Sequence, residues 1–198
     1  MIQKADDLFQ TALKKKIFHQ SPKFFINYIT FLFDSMASPE RGRALLPRAL
    51  QSLPRHTHIE TTSKFGQLEF RSPNGDIERG RTVFEGLLSS FPKRIDLWNV
   101  LLDLEIKSAG VSDGKDGSVD QVRRLFERVL GIRDARKSGA ASVGDGGGGK
   151  VKPKHAKFFF KKWLDYEERL SRLEGVRNEK MIEDIKARAA EYVKALKE

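Results

Sequence analysis

Cysteine is absent from the sequence. Disulfide staples and thiolate metal sites are therefore excluded, and a reducing, intracellular setting fits. Long apolar runs are absent too. No stretch of 18 apolar residues exists, so no membrane-spanning helix is written here. The first 16 residues carry acids early and no apolar signal core, which excludes a secretory leader among them. Acids are missing from two stretches. Residues 41–59 hold four arginines and no acid, and residues 150–162 hold six lysines and no acid. The net charge is +10, which favours an acidic partner, most simply nucleic acid.

What is present is helical periodicity. In Asp76 to Glu105, Val83, Phe84, Leu87 and Leu88 recur three and four apart, and Phe91-Pro92 ends that helix. Asp96 then opens a second helix, whose stripe is Trp98, Leu101 and Leu104. Neither stripe can be buried alone, so the two helices are expected to pair and stack on copies of themselves.

Those copies can be read. Glu78-Arg79-Gly80-Arg81, followed by Val83-Phe84 and Leu87-Leu88, recurs 38 residues earlier as Glu40-Arg41-Gly42-Arg43, with Leu45-Leu46 and Ala49-Leu50. A third copy runs from Gln121 to Leu130 and contains Phe126-Glu127. The other helix also repeats. Trp98, Leu101, Leu104 and Glu105 match Phe160, Trp163, Tyr166 and Glu167, and also Thr62, Phe65, Leu68 and Glu69. Phe25, Tyr28, Phe31 and Leu32 match more loosely. A period of roughly 34 to 45 residues, two helices per unit, predicts an all-α helical-repeat solenoid, a right-handed α-α superhelix of about nine helices.

The spacing predicts helices over 2–16 (stripe Ala5, Leu8, Phe9, Ala12, Leu13), 21–36, 39–53 and 55–71. Pro47 is expected to kink the third of these or end its first half. Ala109 to Ser118 reads as a loop, with helix resuming to about Arg133. Residues 138–152 read as a flexible Gly-rich connector inside a single solenoid over 1–198. Pro153 opens a helix to about Arg172. A last helix, about 178–197, has Ile182, Ile185, Ala189, Tyr192, Val193 and Leu196 as its stripe. The 2–16 helix lacks a partner of the other type, which suggests a C-terminal fragment of a longer protein.

Little in the chain carries catalytic chemistry. Gly144 to Lys150 reads GDGGGGK, but Val151 stands where a phosphate loop needs Ser or Thr, and no strand precedes it. His19, His56, His58 and His155 are scattered and read as surface histidines. Glu69, Glu105 and Glu167 share one repeat position, which points to pairing with a helix end or an arginine of the adjacent helix rather than to acid catalysis. No catalytic, metal or cofactor residue is assigned. Trp98 and Trp163 could stack on bases, but their place in the apolar stripe makes them core. Phosphate contact is expected at Lys150, Lys152, Lys154, Lys157, Lys161 and Lys162, with Arg123 and Arg124 as further candidates.

The motif formed by Trp98, Leu101, Leu104 and Glu105 with Phe84, Phe126 and Glu127, and again by Trp163, Tyr166 and Glu167, resembles the HAT repeat, or half a TPR. That repeat is found chiefly in RNA-processing proteins. Residues 78–107, 122–130 and 152–168 further resemble the C-terminal HAT region of the ribosomal RNA processing protein five family, also called programmed cell death protein eleven. The resemblance implies a non-enzymatic role in pre-rRNA processing and small-subunit (18S) rRNA maturation, in the nucleolus. It implies docking on assembly factors of the small-subunit processome, near pre-rRNA and U3 small nucleolar RNA, with no membrane and no small-molecule substrate. Two other readings stand beside the scaffold. One is a direct RNA-binding module using the lysine-rich surface. The other is a HAT array of a splicing or 3′-end processing factor.

Overall fold

The computed structural model describes residues 1–111, 118–132, 151–174 and 179–195. Among them there are ten α-helices, one short 3-10 helix and no strand. They are α1 (Ile2–Leu13), α2 (Lys16–His19), α3 (Pro22–Asp34), α4 (Pro39–Ser52), α5 (His58–Arg71), α6 (Ile77–Ser90), α7 (Ile95–Val111), α8 (Ser118–Leu130), α9 (Pro153–Glu174) and α10 (Glu179–Ala195). The 3-10 turn, Arg55–Thr57, leads into α5. The all-α helical-repeat architecture is as the periodicity predicts. The chain forms two compact units, Met1–Ser90 and Phe91–Glu198.

In the first unit α3 packs on α4 and α5 on α6, and α3 also touches α5. Ser21 caps α3 by accepting from the Phe24 N–H, with Pro22 at the first helical position. Phe25, Tyr28, Ile29, Leu32 and Phe33 are all buried, as expected of a helix that is apolar nearly all round. With Leu45, Ala49, Leu53 and Phe65 they form one core. The turn before α6 is tied back to α3. Asn74 donates to the Phe33 carbonyl at 2.8 Å and Ser72 to Asp34 at 2.6 Å, while Asp76 accepts from the N–H groups of Glu78 and Arg79.

Gly42 and Gly80, equivalent in the repeat, allow close helix approach. A Cβ on Gly42 would lie 2.6 Å from the Phe33 ring, and one on Gly80 would lie 2.6 Å from the Phe70 ring.

Several expectations are corrected. The 2–16 helix ends at Leu13 and a separate turn of helix starts at Lys16, because Lys15 adopts an extended conformation within a run of three like charges. In α1 Leu8 is exposed and Asp6, not an apolar residue, is the buried side chain. Pro47 does not divide α4. It costs one backbone hydrogen bond at an exposed position, whereas Leu45 and Ala49 on either side are buried. Helix α7 continues through the expected loop start to Val111, with Ala109 buried.

In the second unit α7 packs on α8, α8 on α9 and α9 on α10. The core contains Leu97, Trp98, Leu101, Leu102 and Leu104 of α7, Val122, Phe126 and Val129 of α8, Phe159, Phe160, Trp163 and Tyr166 of α9, and Ile185 of α10. Phe126 and Trp163 lie parallel, centroids 5.4 Å apart and planes 3° from parallel. Helix α8 ends on Gly131 at φ 67°, where the Ile132 N–H reaches back to the Glu127 carbonyl at 2.9 Å. In α10 Val193 is exposed, so the stripe narrows to Ile185 with half-buried neighbours. Leu196, residues 138–150 and the GDGGGGK segment lie outside the described residues, whereas Val151, at the end of the expected connector, is buried.

Candidate nucleic-acid interface

Helix α9 has two faces. Pro153 starts it, and the Lys152 carbonyl accepts from the N–H groups of His155 and Ala156. Just before it, Val151 is held by Tyr192, whose hydroxyl donates to the Val151 carbonyl at 2.6 Å. Ala156, Phe159, Phe160, Trp163, Tyr166 and Glu167 point inward. Lys154, Lys157, Phe158 and Lys161, spaced i, i+3, i+4 and i+7, are exposed on the other side. Lys152 is exposed just before the helix.

The candidate cations fall into three groups. Lys150 lies outside the described residues. Lys152, Lys154, Lys157, Lys161 and Arg124 are exposed. Lys162 and Arg123 are bound within the fold. Lys162 Nζ pairs with Asp103 Oδ1 at 2.7 Å, donates to Asn99 Oδ1, and lies 5.7 Å from the centre of the Phe158 ring. Arg123 grips Glu167 with two parallel bonds, Nε to Oε1 and Nη2 to Oε2, each 2.8 Å.

That grip accounts for the repeated glutamate. Glu167 is wholly buried, and Oε1 also accepts from the Trp163 indole N–H at 3.2 Å. In the first unit Arg43 holds the buried Glu69 with the same two 2.8 Å bonds, and Glu69 also accepts from the Asp76 backbone N–H at 2.9 Å. The hydrogen bonds they donate to these carboxylates hold both guanidiniums above the usual arginine range, against the opposing effect of burial. Glu105, at the same repeat position, is also buried. Each equivalent arginine has an acid three residues earlier: Glu40 for Arg43, Glu78 for Arg81 and Asp120 for Arg123.

A further buried acid, Asp6, was not legible in the periodicity. It accepts from the Tyr28 hydroxyl at 2.8 Å and from Arg41 at 2.9 Å. Burial works against its charge, but these bonds outweigh it and hold the carboxyl below the usual range. Burial and the bond to Asp6 push the Tyr28 phenol up to about 12.

Trp98 and Trp163 are buried, and the Trp98 indole donates to the Pro92 carbonyl at 2.9 Å. Of the remaining motif residues, Phe84, Leu101, Leu104, Phe126 and Tyr166 are buried, and the half-buried Glu127 pairs with Arg188 at 2.8 Å. His58 meets the Leu53 carbonyl and His19 that of Leu13. No group of acids and histidines among the described residues could hold a metal.

Over nearly its whole length the chain aligns with proteins named for rRNA biogenesis. It is 44% identical over 189 residues, 96% of the chain, to the "rRNA biogenesis protein rrp5" of Schizosaccharomyces pombe. It is 36% identical over 193 residues, 98% of the chain, to the human "Protein RRP5 homolog". It is 36% identical over 189 residues, 95% of the chain, to the "rRNA biogenesis protein RRP5" of Arabidopsis thaliana. By sequence the chain belongs to the RRP5 family. It spans only 8 to 9% of the length of these relatives. No family model matches it.

Proposed function

We propose that this chain is a non-catalytic helical-repeat scaffold of ribosome biogenesis, the HAT segment of an RRP5-type protein. Its task is pre-rRNA processing and small-subunit rRNA maturation in the nucleolus, docked on assembly factors of the small-subunit processome near pre-rRNA and U3 small nucleolar RNA. The carrying observation is the alignment over at least 95% of the chain with RRP5 proteins from a fungus, a plant and an animal. The buried arginine–glutamate grips support the reading. These charged groups are spent on holding helices together.

The test is deletion of this segment from the full-length protein in cells. Small-subunit rRNA is expected to fall with large-subunit rRNA largely kept, and the shortened protein to leave early pre-ribosomal particles. Unchanged rRNA ratios and unchanged co-sedimentation would defeat the reading.

A second reading, direct RNA contact, is favoured by one observation: Lys152, Lys154, Lys157 and Lys161 are exposed. A binding assay across a salt series would show a steep loss of affinity if phosphates are neutralised.

A further inference from the structure

We propose that Phe158 is a base-stacking platform on α9 and that its ligand is single-stranded RNA, threaded along the Lys154, Lys157 and Lys161 face. This rests on the RNA-contact reading above and gives it a ligand form and a key residue.

Phe158 is 49% exposed, although its neighbours Phe159 and Phe160 are in the core. A large aromatic left in water has a cost, and here the ring is also held. It packs edge-on against the buried Phe159, centroids 5.3 Å apart and planes at 73°. Lys162 lies 5.7 Å from its centre, and Asp103 anchors that ammonium at 2.7 Å. These contacts bias the ring towards one setting before any ligand arrives, which lowers the ordering cost of binding.

Lys154 and Lys161 flank it along the helix, and Lys157 adjoins it. The seven-residue separation of Lys154 and Lys161 spans about 10 Å of helix axis. No ion pair is formed by Lys154, Lys157 or Lys161 among the described residues. An aromatic ring among uncommitted cations matches a strand that offers flat bases and phosphates together. A duplex hides its base faces and cannot use the ring. Lys162 has a positioning role here: it orients the ring and does not contact phosphate.

The test uses the 198-residue chain and a fluorescein-labelled oligouridine, with a duplex RNA of equal length and a poly-glutamate peptide as competitors. The variants are Phe158→Ala, Phe158→Trp and Lys154→Gln/Lys157→Gln/Lys161→Gln. Phe158→Ala is expected to weaken oligouridine binding by about tenfold and leave the salt slope unchanged, since stacking rather than charge is lost. The triple variant is expected to lower that slope by about 2. Phe158→Trp is expected to restore affinity and to show tryptophan quenching when oligouridine is added. Circular dichroism checks that each variant is folded.

If Phe158→Ala binds as well as the parent while the triple variant loses affinity, the stacking platform is wrong and the RNA-contact reading survives. If the parent itself fails to bind oligouridine at low salt, both are wrong. Tighter binding of the duplex, or displacement of oligouridine by poly-glutamate at equal charge concentration, also overturns the proposal, the latter in favour of an acidic protein partner.

Discussion

The two units contain the same buried ion pair, built with different third partners. In the first, Arg43 and the Asp76 backbone N–H converge on Glu69. In the second, Arg123 and the Trp163 indole converge on Glu167. The two-pronged bond is identical at 2.8 Å per prong, while one supporting donor belongs to the main chain and the other to a side chain. The repeat therefore dictates the charged pair, and the local helix packing supplies what else the carboxylate needs. A buried carboxylate has an unfavourable solvation energy, so the arginine is needed wherever the glutamate recurs.

The largest expected effect follows from breaking that pair on one side. Arg123→Ala strands Glu167 in the core, and Arg43→Ala strands Glu69. Each is expected to cost about 3–5 kcal/mol, read as a lowered midpoint in urea unfolding. Arg→Lys at either position should recover little, because an ammonium cannot make two parallel bonds. A loss below about 1 kcal/mol in either variant would show that the carboxylate is solvated some other way. The comparison sharpens with Trp163→Phe. It keeps a ring against Phe126 but removes the indole donor, at an expected cost of about 1–3 kcal/mol. The first unit has no equivalent variant, since its third donor is backbone.

A smaller effect separates Gly42 from Gly80. An alanine methyl at either would press into a phenylalanine ring. Phe33, which faces Gly42, is fully buried and cannot retreat, whereas Phe70, which faces Gly80, is half-buried and can turn aside, leaving the Gly66 carbonyl oxygen at 3.2 Å as the remaining tight contact. Overpacking of this kind costs about 1–3 kcal/mol. Gly42→Ala is expected near the top of that range and Gly80→Ala near the bottom, measured by thermal unfolding.

This pattern also shows how far the sequence could be read. The period of the helices and the column Glu69, Glu105 and Glu167 are visible in the letters, because repeats place equivalent residues at equal spacing. The matching column Arg43, Arg81 and Arg123 is there too, with an acid three residues before each. A third copy aligned from Gln121 starts one residue after Asp120 and hides that feature. Lys162 and Arg123 look like free cations in sequence, and only the approach of α7 to Lys162 and of α9 to Arg123 shows that they are bound. Asp6 could not be read at all, since it lies outside the repeated glutamate column and no equal spacing points to its partner Arg41. Leu8 fits the apolar spacing of α1, but spacing does not say whether a neighbour exists to cover it.

The Asp6 cluster makes the first unit sensitive to pH at both ends. The Asp6 carboxyl is lowered in the fold, so its contribution is present above the unfolded value of about 3.9 and is lost as pH falls through the folded one. The Tyr28 phenol is raised to about 12, so its contribution is complete below the unfolded value of about 10 and is lost as pH rises from there towards 12. Tyr28→Phe should flatten the alkaline limb of a stability–pH curve, and Asp6→Asn the acid limb. An unchanged alkaline limb in Tyr28→Phe would show that the phenol is not linked to folding.

The smallest effect compares two helix ends. Helix α8 in the second unit closes on Gly131 at φ 67°, where glycine is at ease. After α3 in the first unit, the chain turns at Ala37 with φ 49°, and the Ser38 N–H reaches back to the Leu32 carbonyl at 2.8 Å. A side chain in that left-handed region is strained by about 1–2 kcal/mol. Replacing it with glycine removes the strain but adds about 0.5–1 kcal/mol of chain entropy to be lost on folding. Ala37→Gly is therefore expected to stabilise the protein by about 0.5 kcal/mol, the difference between those two effects. Gly131→Ala is expected to destabilise it by about 1 kcal/mol or more, because there the methyl brings the strain and a small entropic gain only partly offsets it. Opposite signs in paired thermal melts would establish that both turns are left-handed in solution. A loss of stability in Ala37→Gly would mean that the turn after α3 relaxes to a conformation alanine tolerates, so that the two helix ends are not equivalent.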